Sequence, residues 1–147
     1  MSRLPDYNMG DITDNKIWGH TELMFGTKRY SKHLLNINND SYCSLHDHKN
    51  RANEFEILSG KLEVITFYGP SYMKNILTSG NRLLIHSCVP HIFFAHDNTV
   101  AVEEYFSDRG NEHIDDSDII RIMPGGKDTY INFLTKLSEV FKNAIRD

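Results

Sequence analysis

At 147 residues the chain is long enough to bury a hydrophobic core unaided and short enough to be one domain. Apolar residues make up 39% and charged residues 24%, the mix of an ordinary globular protein rather than a disordered or fibrous one. The formal net charge of −4 weighs against nucleic acid or an anionic membrane as partner, since both reward a concentrated positive face.

Residues 1–15 (MSRLPDYNMGDITDN) are polar and turn-rich and read as an N-terminal arm. The opening Met1-Ser-Arg-Leu-Pro5 lacks the apolar core of a secretion signal, which sets the expectation of a cytoplasmic protein. Apolar runs such as Ile92–Ala95 and Val100–Val102 are far too short to cross a bilayer. Cys43 and Cys88 lack zinc or redox spacing, so reduced thiols are expected.

From Trp18 to about Val102 the chain breaks into short alternating segments separated by Gly, Asn, Asp and Pro. The expected strands are Glu22–Phe25, Ser31–Asn36, Ser41–Leu45, Glu54–Leu58, Lys61–Phe67, Lys74–Leu77, Arg82–Ile85, His91–Ala95 and Val100–Phe106. Ser59-Gly60 reads as a tight hairpin, and Gly69-Pro70 and Ser79-Gly80-Asn81 as further turns. Many short strands with turn signals every eight to twelve residues predict an all-β sandwich or barrel over residues 16–126. The tail, residues 127–147, differs. Ile131, Phe133, Leu134, Leu137, Val140, Phe141 and Ile145 recur at spacings of three and four, which predicts an amphipathic helix capped by Asp128 or Thr129. That helix is expected to pack on the barrel or on a second copy of the chain.

His46 and His48 are two apart, so on a strand both point to one face and can share an ion. Acidic residues follow within eight positions, and about thirty residues further on Val89-Pro90-His91 opens another strand with a third imidazole. Three imidazoles with a carboxylate, and open positions left over, suit one divalent ion such as Fe, Mn, Zn, Ni or Co.

Taken in order, these features resemble the two motifs of the cupin superfamily. His46, His48 and Gly60 match the first motif, and Ile85-His-Ser-Cys-Val-Pro-His91 is similar to the second, with His86 and Cys88 where Pro and Gly are usual. The resemblance implies a double-stranded β-helix, a jelly-roll barrel, with His46, His48 and His91 as ligands. Counting back from Gly60, the family's glutamate position holds Asn53, and Glu54 is one step off. On a regular strand Asn53 shares a face with Phe55 and Ile57, while Glu54 and Glu56 face the other way. Three readings stay open: a bulge turns Glu54 into the site, Asn53 coordinates through its amide oxygen, or three histidines hold the ion alone.

Lys16-Ile-Trp-Gly-His-Thr-Glu22, Tyr30, and the ending Val102-Glu-Glu-Tyr-Phe106 with Asp115-Asp-Ser-Asp-Ile-Ile-Arg121 resemble the mannose-6-phosphate isomerase-like branch. That likeness implies a carbohydrate-like small-molecule ligand and a homodimer. The expected function is a sugar or sugar-phosphate isomerase or epimerase using the ion as Lewis acid, with Glu54 or Glu104 moving the proton. A sugar-binding or regulatory cupin without chemistry and a non-haem iron dioxygenase are the alternatives. His33 lies where that branch often carries Lys and joins the catalytic candidates. Arg51 and Arg82 are candidate anchors for a phosphate or carboxylate, and Phe93 is a candidate substrate contact. Trp18 and Phe55 are expected near the barrel interior. His96 is expected to be peripheral, and Asp115–Asp118 a solvated loop.

Overall fold

The structure, a computed structural model, describes residues 13–108, 113–115 and 117–146, the last four as backbone only. Most of the expected arm, residues 1–12, lies outside the described residues, as do Asp116 and the side chain of Ile145. The first elements are β1 (Thr13–Lys16), β2 (Gly19–Gly26), β3 (Tyr30–Ile37), β4 (Ser41–Tyr42), β5 (Leu45–Asp47) and β6 (Ala52–Ser59). Then come β7 (Lys61–Tyr68), β8 (Ser71–Thr78), β9 (Arg82–Ile85), β10 (His91–Ala95) and β11 (Thr99–Phe106). β12 (Ile120–Met123), β13 (Gly126–Lys127) and α1 (Tyr130–Arg146) complete the described chain.

The strands form two antiparallel sheets. One runs β1-β2-β3-β11-β6-β9. In the other β10 is central: β7 and then β8 lie on one side, and β4 and β5 on the other, backed by β13 and β12. β4 and β5 act as one interrupted strand, because Tyr42 faces Phe94 and His46 faces His91. The stretch Tyr42–His46 is one residue longer than the stretch opposite it, and Cys43-Ser44 absorbs the extra residue.

Pairing decides which side chains enter the barrel. Residues directly opposite in a sheet share a face, and β11 sets Ala101 against Ile57, Glu103 against Phe55 and Tyr105 against Asn53. Phe55 and Ile57 belong to the core, so Asn53, Glu103 and Tyr105 stand on the core-facing side. Glu104 is paired with Glu54 on the opposite face. On β10, His91 and Phe93 alternate with Ile92 and Phe94, yet all five residues are buried because both sides of this sheet are covered. The cover on the outer side is α1. Phe133 is fully buried, its ring 4.9 Å from those of both Tyr42 and Phe94, and Phe141 packs on Phe67 at 5.3 Å. Thr129 caps the helix, its Oγ1 accepting from the Asn132 amide at 3.3 Å, while Asp128 Oδ1 accepts from the Thr129 amide at 2.8 Å.

One turn departs from its expectation. Ser59-Gly60 joins strands of opposite sheets, so it is a crossing between layers and not a hairpin. Gly60 has φ 96°, and a Cβ there would sit 2.4 Å from the Asn98 carbonyl oxygen, so the close approach of the two sheets requires glycine. Gly69-Pro70 does close a two-residue hairpin, Tyr68 opposite Ser71. β1, β12 and β13 were not expected as strands; they are short edge pieces held by their neighbours. Both cysteines are free, Cys43 buried and Cys88 exposed. No helix among the described residues is long and apolar enough to cross a membrane.

Candidate metal centre

Two strands and the turn after one of them bring the imidazoles together. His46 lies on β5, His48 just beyond its end, and His91 opens β10 directly opposite His46. Their ring centroids are 4.5 Å apart for His46 and His91, 4.9 Å for His46 and His48, and 5.5 Å for His48 and His91. One potential ligand atom from each lies within 4.8 Å of the others. Each Nδ1 is engaged by a backbone carbonyl: Ser44 at 2.7 Å for His46, Asp118 at 2.6 Å for His48 and Val89 at 2.9 Å for His91. A carbonyl can only accept, so Nδ1 carries the proton and Nε2 keeps its lone pair.

The Nε2 atoms of His48 and His91 are buried without any hydrogen-bond partner. Leaving such acceptors unsatisfied costs about 1–3 kcal/mol each, and a shared cation would offset that. The rings also resist protonation. Burial is the main cause throughout: it holds His46 well below the usual range, helped by the neighbouring His91 and His48. Burial and the Arg51 charge bring His48 down to about 3. His91 falls to about 4 through burial, against the Val89 carbonyl, which raises it. The donor set is therefore neutral, nitrogen-only and ready to bind at ordinary pH, and it fits a divalent transition ion.

Asp118 organises the approach to His48. Besides the carbonyl on Nδ1, its two carboxylate oxygens accept from the amides of Lys49 at 2.9 Å and Asn50 at 2.8 Å. Arg51 Nε stands 3.3 Å from the same His48 Nδ1. Because that nitrogen gives its proton to Asp118, it has no lone pair for the arginine.

A cavity of about 360 Å³ opens beside His46 and His91. Its hydrophobic wall is Trp18, Phe55 and Phe93, with Phe93 edge-on to Trp18 at 5.2 Å. Its polar wall includes His33, Arg51, Glu103 and Tyr105. Glu103 is 7% exposed and accepts from Asn53 Nδ2 at 2.8 Å. Burial lifts its carboxyl to about 7, against the Tyr105 hydrogen bond, the Arg51 charge and the Asn53 hydrogen bond, all of which lower it. His33 Nε2 meets Ser31 Oγ at 3.0 Å, and burial, with Arg51 and Lys16 nearby, lowers it to about 4.

Of the residues expected from sequence, the structure gathers His46, His48, His91, His33, Arg51 and Phe93 around this region. Three others it does not. Glu54 points to the outer face, 3.6 Å from Arg82, since β6 pairs regularly from Ala52 to Ile57 and its bulge lies beyond. Glu104, beside Glu54 on that face, accepts from the Tyr30 hydroxyl. Arg82 pairs with Glu54 and, at 3.1 Å, with Glu56, leaving it no part in the cavity. Asn53 is the inward residue at the expected glutamate position, and its Oδ1 is buried without a partner. His96 bonds Glu63 at 3.1 Å, beneath α1 with Tyr130.

Sequence reasoning missed Glu103, Tyr105 and the clamp by Asp118. The tandem Glu103-Glu104 presents one carboxylate to each face, and only the register against β6 tells which one enters. Arg121 also reaches the cavity, from β12 opposite His46.

No family model and no curated protein sequence matches the chain. Solved structures do. An oxalate decarboxylase from Bacillus subtilis aligns at TM-score 0.63 and 12% identity, over 80% of this chain and 34% of that one. KdgF from Halomonas sp. aligns at 0.59 and 13% identity, over 71% of this chain and 96% of that one. CapF from Staphylococcus aureus, a capsular polysaccharide assembling protein, gives 0.60 and 15%, over 74% of this chain and 33% of that one. The chain thus spans about a third or less of the oxalate decarboxylase and CapF chains. These likenesses show the fold alone, a double-sheet jelly-roll barrel.

Proposed function

We propose that the protein is a metal-dependent isomerase or epimerase acting on a sugar or sugar phosphate. One observation carries the proposal: the Glu103 carboxyl lines the same buried cavity as two of three unprotonated, convergent imidazoles. His46, His48 and His91 would hold the ion, which when bound supplies Lewis-acid polarisation of a carbonyl. Proton transfer between neighbouring carbons then needs one group able to take and return a proton near neutral pH. Glu103 replaces Glu54 and Glu104 in that role, with Asn53 and Tyr105 fixing its orientation. Trp18 and Phe93 give the substrate a dry wall, and the neutral His33 can exchange hydrogen bonds with its hydroxyls.

The test is incubation of ion-loaded protein with aldose and ketose phosphates and the free sugars in deuterated water. Interconversion with deuterium appearing on carbon supports the proposal. Neither signal across the panel, at confirmed metal occupancy, rejects it.

Asn53 at the glutamate position favours a second reading, a sugar-binding cupin without chemistry. Metal content of the purified, supplemented protein separates the two, since a site that stays mostly empty fits only the binder. Open positions beside three imidazoles also suit an iron dioxygenase, for which oxygen uptake dependent on Fe(II) is the diagnostic. A homodimer fits the exposed Tyr72, Met73 and Ile76 on edge strand β8, and sedimentation measures it.

A further inference from the structure

Arg51 is the most unusual charge in the barrel. It is 4% exposed, yet among the described residues it makes no ion pair. Its one polar contact among the described residues is with a histidine nitrogen that has no lone pair to offer. A guanidinium never loses its proton at ordinary pH, so burying one without an anion is costly. The surroundings do not relieve it: its charge weighs against protonation of His33, His46, His48 and His91 alike. Glu103, the buried acid of the cavity, is spoken for by Asn53 and Tyr105 and lies beyond ion-pair distance.

The geometry narrows what would satisfy it. The guanidinium carbon lies 4.0 Å from the centroid of the Tyr105 ring, so one face of the planar group is covered. What remains toward the cavity is the edge, where the donors form a fork that suits two oxygens of one oxyanion. Lys16, also on the cavity wall, is already paired with Asp14 at 2.7 Å. Arg121, more exposed, adds positive charge on the approach.

We propose that Arg51 is the anion subsite of the cavity, so that the substrate is a small anionic hydroxy-carbonyl compound carrying a carboxylate or phosphate. The inference rests on the reading of the cavity as a substrate site and names the substrate class. Because Arg51 and the imidazoles border one small chamber, the oxyanion and the carbonyl belong to the same molecule.

Binding decides this without turnover. Calorimetry on metal-loaded protein compares three ligands of one sugar skeleton: the neutral sugar, its uronic acid and its 6-phosphate. At least one anion is expected to bind tenfold or more tightly than the neutral sugar, and which one identifies carboxylate or phosphate. In Arg51→Gln that preference is expected to vanish while metal content, measured by mass spectrometry, stays at the wild-type level. Should Arg51→Gln fail to fold, Arg51→Lys keeps the charge without the fork, and the preference is expected to shrink severalfold. Equal binding of neutral and anionic ligands to wild type overturns the proposal, as does a preference unchanged in either variant. A preference for anions together with no isomerisation would retire the reaction proposed above and leave the subsite standing.

Discussion

A buried carboxyl held at about 7 makes stability depend on pH in a direction opposite to most acids. Below its unfolded value of 4.5, Glu103 is protonated in both states and nothing is lost. As pH rises toward 7, the unfolded chain releases this proton while the folded chain keeps it, so folding loses stability through that interval. The lift from 4.5 to about 7 corresponds to roughly 3 kcal/mol. Glu103→Gln removes the titration. In chelator-treated protein, the variant is expected to gain stability over wild type by up to that amount at pH 8 and by little at pH 4.5, measured by urea unfolding. If Glu103 moves the proton, the same change lowers turnover by about 10²–10⁴-fold without altering metal content. Cys88 offers a second residue-scale test. It has φ 66°, where a side chain costs about 1–2 kcal/mol, and its amide donates to the His48 carbonyl at 2.6 Å. Cys88→Gly is expected to stabilise by about 0.5–1 kcal/mol after the entropy of glycine is subtracted. Unfolding curves that coincide or shift the other way would count against strain at this position.

The elements that carry the site differ in how far sequence revealed them. Arg82–Ile85 and His91–Ala95 are strands with the expected bounds, because each is a short apolar run marked off by turn residues. His46 and His48 were legible because a two-residue spacing survives any register, and His91 because Val89-Pro90-His91 opens a strand in a stretch similar to a known motif. The acid was not. Which of two adjacent glutamates enters a barrel depends on pairing with a strand some fifty residues away, and no local pattern encodes that. Gly60 shows the same limit: its backbone demand was visible, but a hairpin and a crossing between sheets ask for the same residue. β1 escaped because an exposed edge strand needs no apolar rhythm, and β12 because its Ile120-Arg121-Ile122 alternation spans too few residues to stand out. The helix was legible from its apolar stripe, and its weight in the fold is testable. Phe133 is fully buried among Tyr42, Phe94 and Tyr130. Phe133→Ala is expected to cost about 3–5 kcal/mol in urea unfolding. Because α1 covers the outer side of the sheet that holds His46 and His91, the folded fraction should still bind metal one to one. A cost under about 1 kcal/mol would mean the helix is only loosely attached.

At the scale of the whole molecule, the barrel keeps four imidazoles neutral in its interior: His33 and His91 near 4, His48 near 3, and His46 well below the usual range. Each binds fewer protons folded than unfolded between its own value and 6.5. Their contribution is therefore present above 6.5 and lost as pH falls toward 4. Glu103 works the other way over a similar interval, but four groups outweigh one, so metal-free protein is expected to lose stability steadily from pH 6.5 to 5. The same neutrality governs the ion. Three ordinary imidazoles titrating at 6.5 would be about nine-tenths protonated at pH 5.5, weakening a three-histidine site about a thousandfold, or about 4 kcal/mol. The buried trio stays unprotonated there, so one fixed free concentration of Zn(II) or Mn(II) should raise stability equally at both ends of this range. A hundredfold excess gives about 2.7 kcal/mol. Chelator-buffered titrations at pH 7.5 and 5.5 measure the affinities directly. Dissociation constants that agree within tenfold fit imidazoles shielded by the fold, whereas a thousandfold loss at pH 5.5 would mean that the site opens to water and protonates before it meets the ion.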